Sequence, residues 1–168
     1  RVRFLTEYQG EALARRYKDF VVKVQTSEAH RVPGTEALSM AVARYYFKLL
    51  AYKDEYEVAR LHTETDFLNE VAGAFEDGYK LKFHLAPPLL SRRDPDTGEA
   101  RKMEIGEWIL PLFRVIARFK FLRGTPLDIF GYSAERKRER QLISEYESTI
   151  ERLLRELTSK NHEAAVAI

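Results

Sequence analysis

The sequence predicts a mostly α fold, a helical domain with one small antiparallel β-hairpin packed on the helices. Three observations point there. Apolar residues recur at steps of three and four through most of the chain, the repeat of one helix face. The step shortens to two in two brief stretches, Tyr79–Leu85 and Arg101–Ile105, which flank the turn signal Asp94-Pro95-Asp96-Thr97-Gly98. Finally, 168 residues with 45% hydrophobic content suit a single domain, and a chain of this length buries roughly 70% of its unfolded surface.

Phe4, Leu5, Tyr8, Ala12, Leu13, Tyr17, Phe20, Val21 and Val24 trace one face of a long amphipathic helix from Arg3 to Ser27, which His30-Arg31-Val32-Pro33-Gly34 ends. Thr35 is the expected N-cap of the next helix, with Glu36 in its first turn. Leu38, Val42, Tyr45, Leu49 and Tyr52 form a face that Tyr46 and Leu50 widen, so this helix should be largely buried. No breaker follows until Leu61, so it should run on through the charged stretch FKLLAYKDEYEVARLH. Thr63 or Thr65 opens a helix through Phe67, Leu68, Val71 and Phe75, closed by Asp77-Gly78. Pro87-Pro88 terminates the first strand, and a two-stranded hairpin needs the helices beneath it to be stable. Helical spacing returns from Trp108 to Phe121, with Pro111 tolerable in the first turn, and Arg123-Gly124-Thr125-Pro126 stops it. After a loop from Leu127 to Tyr132, Ser133 caps the last long helix, whose stripe is Leu142, Ile143, Tyr146, Ile150, Leu153, Leu154 and Leu157. Asn161 could cap a further helix, with Glu163 in its first turn. That helix would be cut after two turns, and the chain opens on Arg1 already entering a helix, so an excised piece of a longer protein is expected.

The net charge of +2 does not favour nucleic acid as a partner. Locally the balance is steeper. Asp54 to Asp77 holds eight acids against Arg60 alone, a net of −7. Arg114 to Arg140 holds eight bases against Asp128, Glu135 and Glu139, a net of +5. Two solvated faces, or two elements that attract each other, are the expected reading. With no cysteine, disulfides, thiolate metal sites, cysteine-ligated clusters and cysteine nucleophiles are excluded from these residues. The apolar run Trp108–Phe113 is far too short to span a bilayer, and a cytoplasmic location without a membrane role is expected.

The chain offers little site chemistry. On one continuous helix Glu55, Ala59 and His62 would share a face, with Asp54 and Glu57 on another. A carboxylate site of the Glu-x-x-His kind fails because Ala59 stands three before His62. Glu57 with Arg60, and Lys53 with Glu57, fit surface ion pairs worth a few tenths of a kcal/mol. Asp54, Glu55 and Glu57 are therefore expected at a solvated or interface end of a core helix, not in an active site. His84 lies on the less apolar face of the first strand without a spaced partner, which favours a structural histidine over a catalytic one. His30, His62 and His162 are isolated in sequence, so no zinc site is indicated. No glycine-rich phosphate loop occurs. Arg136, Arg138 and Arg140 could hold an anion, but Glu135 and Glu139 between them disperse the field. Most aromatics fall at core-facing positions, which argues against a base-stacking platform.

Four motifs in order, with Tyr8-Gln9 and Arg16-Tyr17 ahead of them, carry a family resemblance. They are YYFKLLAYKDEYEVARL from Tyr45 to Leu61, LKFHLAPP from Leu81 to Pro88, LRGTPLDIFGY from Leu122 to Tyr132, and Glu135-Arg136 with Glu139-Arg140. Over nearly its whole length the chain resembles the C-terminal domain of the fused indolepyruvate ferredoxin oxidoreductase family. The resemblance implies a parent enzyme, mostly bacterial, that oxidatively decarboxylates aryl or branched 2-oxoacids to acyl-coenzyme A and reduces ferredoxin. It also implies thiamine diphosphate and iron–sulfur clusters in other segments of that parent and no cofactor here. It assigns no catalytic residue to this segment. The expected role is thus non-catalytic assembly, with neighbouring domains of the parent chain or a second protomer as partners. The alternative is a regulatory module binding ferredoxin or coenzyme A phosphates through Arg114–Arg140. A docking domain of this kind should leave an apolar patch where its partner sits.

Overall fold

The computed structural model, which describes residues 1–75, 78–85 and 103–167, divides the expected first helix in two at Gly10. Helices α1 (Val2–Tyr8) and α2 (Glu11–Arg31) flank a glycine at φ 144° and ψ 176°, backbone that a side chain strongly disfavours. Periodicity missed the break because the buried positions continue across it, through Leu5, Tyr8, Ala14, Tyr17 and Val24. The described residues form a mostly α fold with one two-stranded antiparallel sheet, arranged as two compact units, residues 1–52 with 131–168 and residues 53–130.

In the first unit α3 (Ala37–Leu50) packs against α2, against α7 (Ala134–Glu156) and against α8 (His162–Val166). Its residues Leu38, Val42, Tyr46 and Leu50 meet Tyr17 and Val24 of α2 and Ile143, Ile150 and Leu154 of α7 in one apolar core. Buried tyrosines enter that core by placing each hydroxyl on an acceptor. Tyr8 donates to the Tyr52 carbonyl at 2.8 Å, Tyr17 to the Ala43 carbonyl at 2.8 Å, and Tyr46 to Glu147. Ser133 caps α7 as expected, its hydroxyl accepting from the Arg136 amide at 3.2 Å. At the start of α3, Thr35 accepts from the Ala37 amide, while the next two amides, Leu38 and Ser39, donate to Glu28 at 2.8 Å each. Asn161 precedes α8 but uses its side chain on Thr158 and Glu156 instead of on the α8 amides.

The expected continuation of α3 through Leu61 does not occur. The helix stops at Leu50, and α4 (Glu55–Thr63) starts afresh after Asp54, which is extended at φ −117° and accepts from the Glu57 amide at 2.9 Å. An N-capping aspartate is a helix start signal that needs neither proline nor glycine ahead of it. In the second unit α4 packs on α5 (Phe67–Ala74) and along α6 (Leu110–Arg118), which follows a 3-10 turn at Glu107–Ile109. Ala59 of α4 and Ala117 of α6 are both fully buried, and their small side chains let the two helices approach closely. Strands β1 (Lys82–Leu85) and β2 (Met103–Gly106) pair with Phe83 opposite Ile105, and both side chains join the core with Ala59, Ile109 and Phe113. The expected strand terminator Pro87-Pro88, the Asp94–Gly98 turn, Arg101 and Asp77 lie outside the described residues.

Candidate functional site

The charged stretch after α3 is where the structure departs furthest from the sequence reading. Asp54 and Glu57 are each only 4% exposed, so they are not solvated and face no partner. Arg123, from the loop after α6, grips Asp54 with Nε on Oδ2 at 2.5 Å and Nη2 on Oδ1 at 2.8 Å. The Arg123 guanidinium also lies 5.5 Å from the centre of the Tyr56 ring. Tyr56 donates to Asp128 Oδ1 at 3.2 Å, and Asp128 accepts from the Gly124 and Phe130 amides. Burial, then the Asp128 charge, raises the pKa of the Tyr56 phenol, which therefore stays a donor at neutral pH. The expected surface pair Glu57–Arg60 exists, bidentate at 2.8 Å twice, but it is buried. Glu55 is half-buried. These groups satisfy one another and are closed to solvent, so they fasten the 123–130 loop onto the start of α4 and offer a substrate no access.

Part of the charge asymmetry resolves here as attraction between elements. Asp54–Arg123 joins the acidic to the basic segment, and Lys120 adds a 2.8 Å contact to Glu64.

The basic run of α7 is tied to its own neighbourhood. Arg136 pairs with Glu139 at 2.7 Å and lies over the Tyr52 ring, Arg138 reaches Glu145 at 3.1 Å, and Arg140 donates to the Gly131 carbonyl at 2.6 Å. The three arginines do not converge on one point. Arg138 is the outward member, and its charge is already matched by Glu145.

The histidines fall differently from their sequence reading. His84 is exposed on β1 opposite Glu104. His62 packs edge-on against Phe67 and Phe83 and bonds the Val58 carbonyl through Nδ1 at 2.6 Å. His162, isolated in sequence, meets the buried Glu28 at 2.6 Å. Burial alone would raise the Glu28 pKa, but bonds from His162 and the Ser39 and Leu38 amides outweigh it and hold the carboxyl below its usual value. Among the described residues no group of three or more His, Asp or Glu could hold a metal ion, and without cysteine the chain does not fit an iron–sulfur cluster. No described helix is long and apolar enough to cross a membrane.

Sequence reasoning missed the outer face of α6. Trp108, Leu112, Val115 and Phe119 recur at steps of four, three and four, which places them in one strip along the helix. They are 71, 48, 50 and 47% exposed. Ile109, Phe113 and Ala117 on the opposite side fill the core, so the helix is apolar on far more of its surface than its own unit covers. The expectation that aromatics face the core fails here, and the width of this apolar arc was the signal that could have shown it.

No curated protein and no solved structure matches the chain. The sequence profile of a family of unknown function, DUF6537, matches residues 1–168 end to end, and the chain belongs to that family.

Proposed function

We propose that this chain is a non-catalytic structural and assembly domain of a fused indolepyruvate ferredoxin oxidoreductase, at its C-terminal end. In this reading the parent works in the cytoplasm, converts aryl or branched 2-oxoacids to acyl-coenzyme A, and holds its thiamine diphosphate and iron–sulfur clusters in other segments. The observation that carries the assembly role is the exposed strip of Trp108, Leu112, Val115 and Phe119. Burying such side chains gains about 1–3 kcal/mol each, which a docked neighbouring domain would collect. The four sequence motifs support the choice of parent.

The test is to express the remainder of the parent without this segment and to assay its assembly and turnover before and after adding the purified segment. Restored assembly or turnover supports the reading. A remainder that is fully assembled, fully active and indifferent to the segment overturns it. The regulatory alternative retains one observation in its favour. Among the described residues Arg114 and Arg118 make no ion pair, whereas Lys120, Arg123, Arg136 and Arg138 all do. Ferredoxin or coenzyme A binding that weakens with salt and with loss of these two arginines would favour it over assembly.

A further inference from the structure

We propose that the α6 strip receives an amphipathic helix edged with carboxylates, supplied by another domain or chain. The inference rests on the assembly reading and specifies the chemistry of the partner at that surface.

The strip has the dimensions of a helix seat. From Trp108 to Phe119 it extends about 17 Å, or three turns of a facing helix. One of its edges is closed by the unit's own core through Ile109 and Ile116. The other edge carries Arg114 and Arg118, one turn apart on the exposed side and without an ion pair among the described residues. A helix lying in the strip would therefore set one flank against two guanidinium groups. Carboxylates on that flank would be attracted, and lysines repelled.

The same edge argues against a second copy of this chain as the occupant. Two copies of α6 packed antiparallel about a two-fold axis juxtapose matching edges. Arg114 and Arg118 would then face Arg114 and Arg118 of the other copy, four like charges gathered as the apolar strips close. A partner of opposite charge meets no such opposition.

Trp108 is the only tryptophan in the chain and sits in the strip, so its emission reports occupancy directly. The 168-residue chain would be titrated with two synthetic helical peptides that share a leucine stripe, one edged with Glu and one with Lys. The expected result is a saturable blue shift with the Glu-edged peptide, about tenfold weaker binding for the Lys-edged one, and weakening of the former as salt rises. Arg114→Glu with Arg118→Glu should reverse the preference, and Leu112→Asp should abolish binding of both. All three positions are exposed, and an unchanged far-ultraviolet circular dichroism spectrum identifies variants that retain the fold. Equal binding of both peptides overturns the proposal. So does a blue shift that grows with protein concentration alone, or one produced by phosphatidylglycerol vesicles but by neither peptide. If the parent's remainder needs the segment while both peptides bind equally, the carboxylate edge fails and the assembly role survives. If the remainder ignores the segment, the assembly role fails whatever the peptides do.

Discussion

Arg123→Ala should destabilise the 53–130 unit by about 3–5 kcal/mol, the cost of leaving one partner of a buried ion pair unmatched. The structure supplies the parts of that figure. Two charge-assisted hydrogen bonds to Asp54 disappear, each worth about 1.5–3 kcal/mol. The contact with the Tyr56 ring goes as well, about 0.5–2 kcal/mol. Asp54 keeps its bond from the Glu57 amide, which spares it complete isolation. A whole domain is stable by only about 5–15 kcal/mol, so this loss is large. Amide hydrogen exchange is the suitable assay because it reads α4 and α6 separately from α2, α3 and α7. Exchange of the slowest α4 amides should accelerate by about two to three orders of magnitude, at 1.4 kcal/mol per decade. The control is the double replacement Asp54→Leu with Arg123→Met, which should recover much of the loss because no bare charge stays inside. A loss below about 1 kcal/mol for Arg123→Ala, the size of an exposed pair, would refute the account.

Three further outcomes follow from particular contacts. Glu28→Gln should lower stability by about 1–3 kcal/mol at pH 7, since Glu28 serves two α3 amides and His162. Because folding depresses the Glu28 pKa, its contribution is complete above the ordinary value of 4.5 and fades as pH falls below it. Urea midpoints of the two proteins should accordingly converge in acid, and a constant gap from pH 7 to pH 3 would contradict the shift. Gly10→Ala should cost about 1–3 kcal/mol in chemical denaturation although no atom lies within 4 Å of the added carbon, because the backbone itself resists. Ser133→Ala should cost about 1 kcal/mol through loss of the α7 cap, with fraying of the first α7 turn visible in hydrogen exchange.

How far the sequence could be read depended on the range of the interaction. Alternation located β1 and β2, the Ser133 cap located α7, and Pro111 fitted the first turn of α6, all from contacts within a few residues. The breaks at Gly10 and at Ala51–Asp54 were harder, since the apolar repeat runs through the first and no proline or glycine marks the second. Glu57 and Arg60 were visible as a pair from their spacing, but their burial was not. Burial depends on what lies above them, and Arg123 is 69 residues from Asp54. The Glu28–His162 contact, between residues 134 apart, is beyond local pattern for the same reason.

The two surprises of the 53–130 unit belong together. Of the six buried charged side chains among the described residues, five lie in this unit, and so do ten of the sixteen exposed large apolar ones. Its charges have moved inward and its apolar groups outward, relative to the distribution expected of a free-standing domain. Internal ion pairs offset little of their own desolvation, so they do not compensate for apolar surface left in water. What they supply is geometry. Arg123 and Asp128 fix the loop that follows α6 onto the start of α4, against which α6 itself packs. A unit that spends buried polar contacts to hold one helix rigid, while leaving that helix's outer strip uncovered, is built to present the strip. Local rules broken without an internal gain point to function at the surface they leave behind.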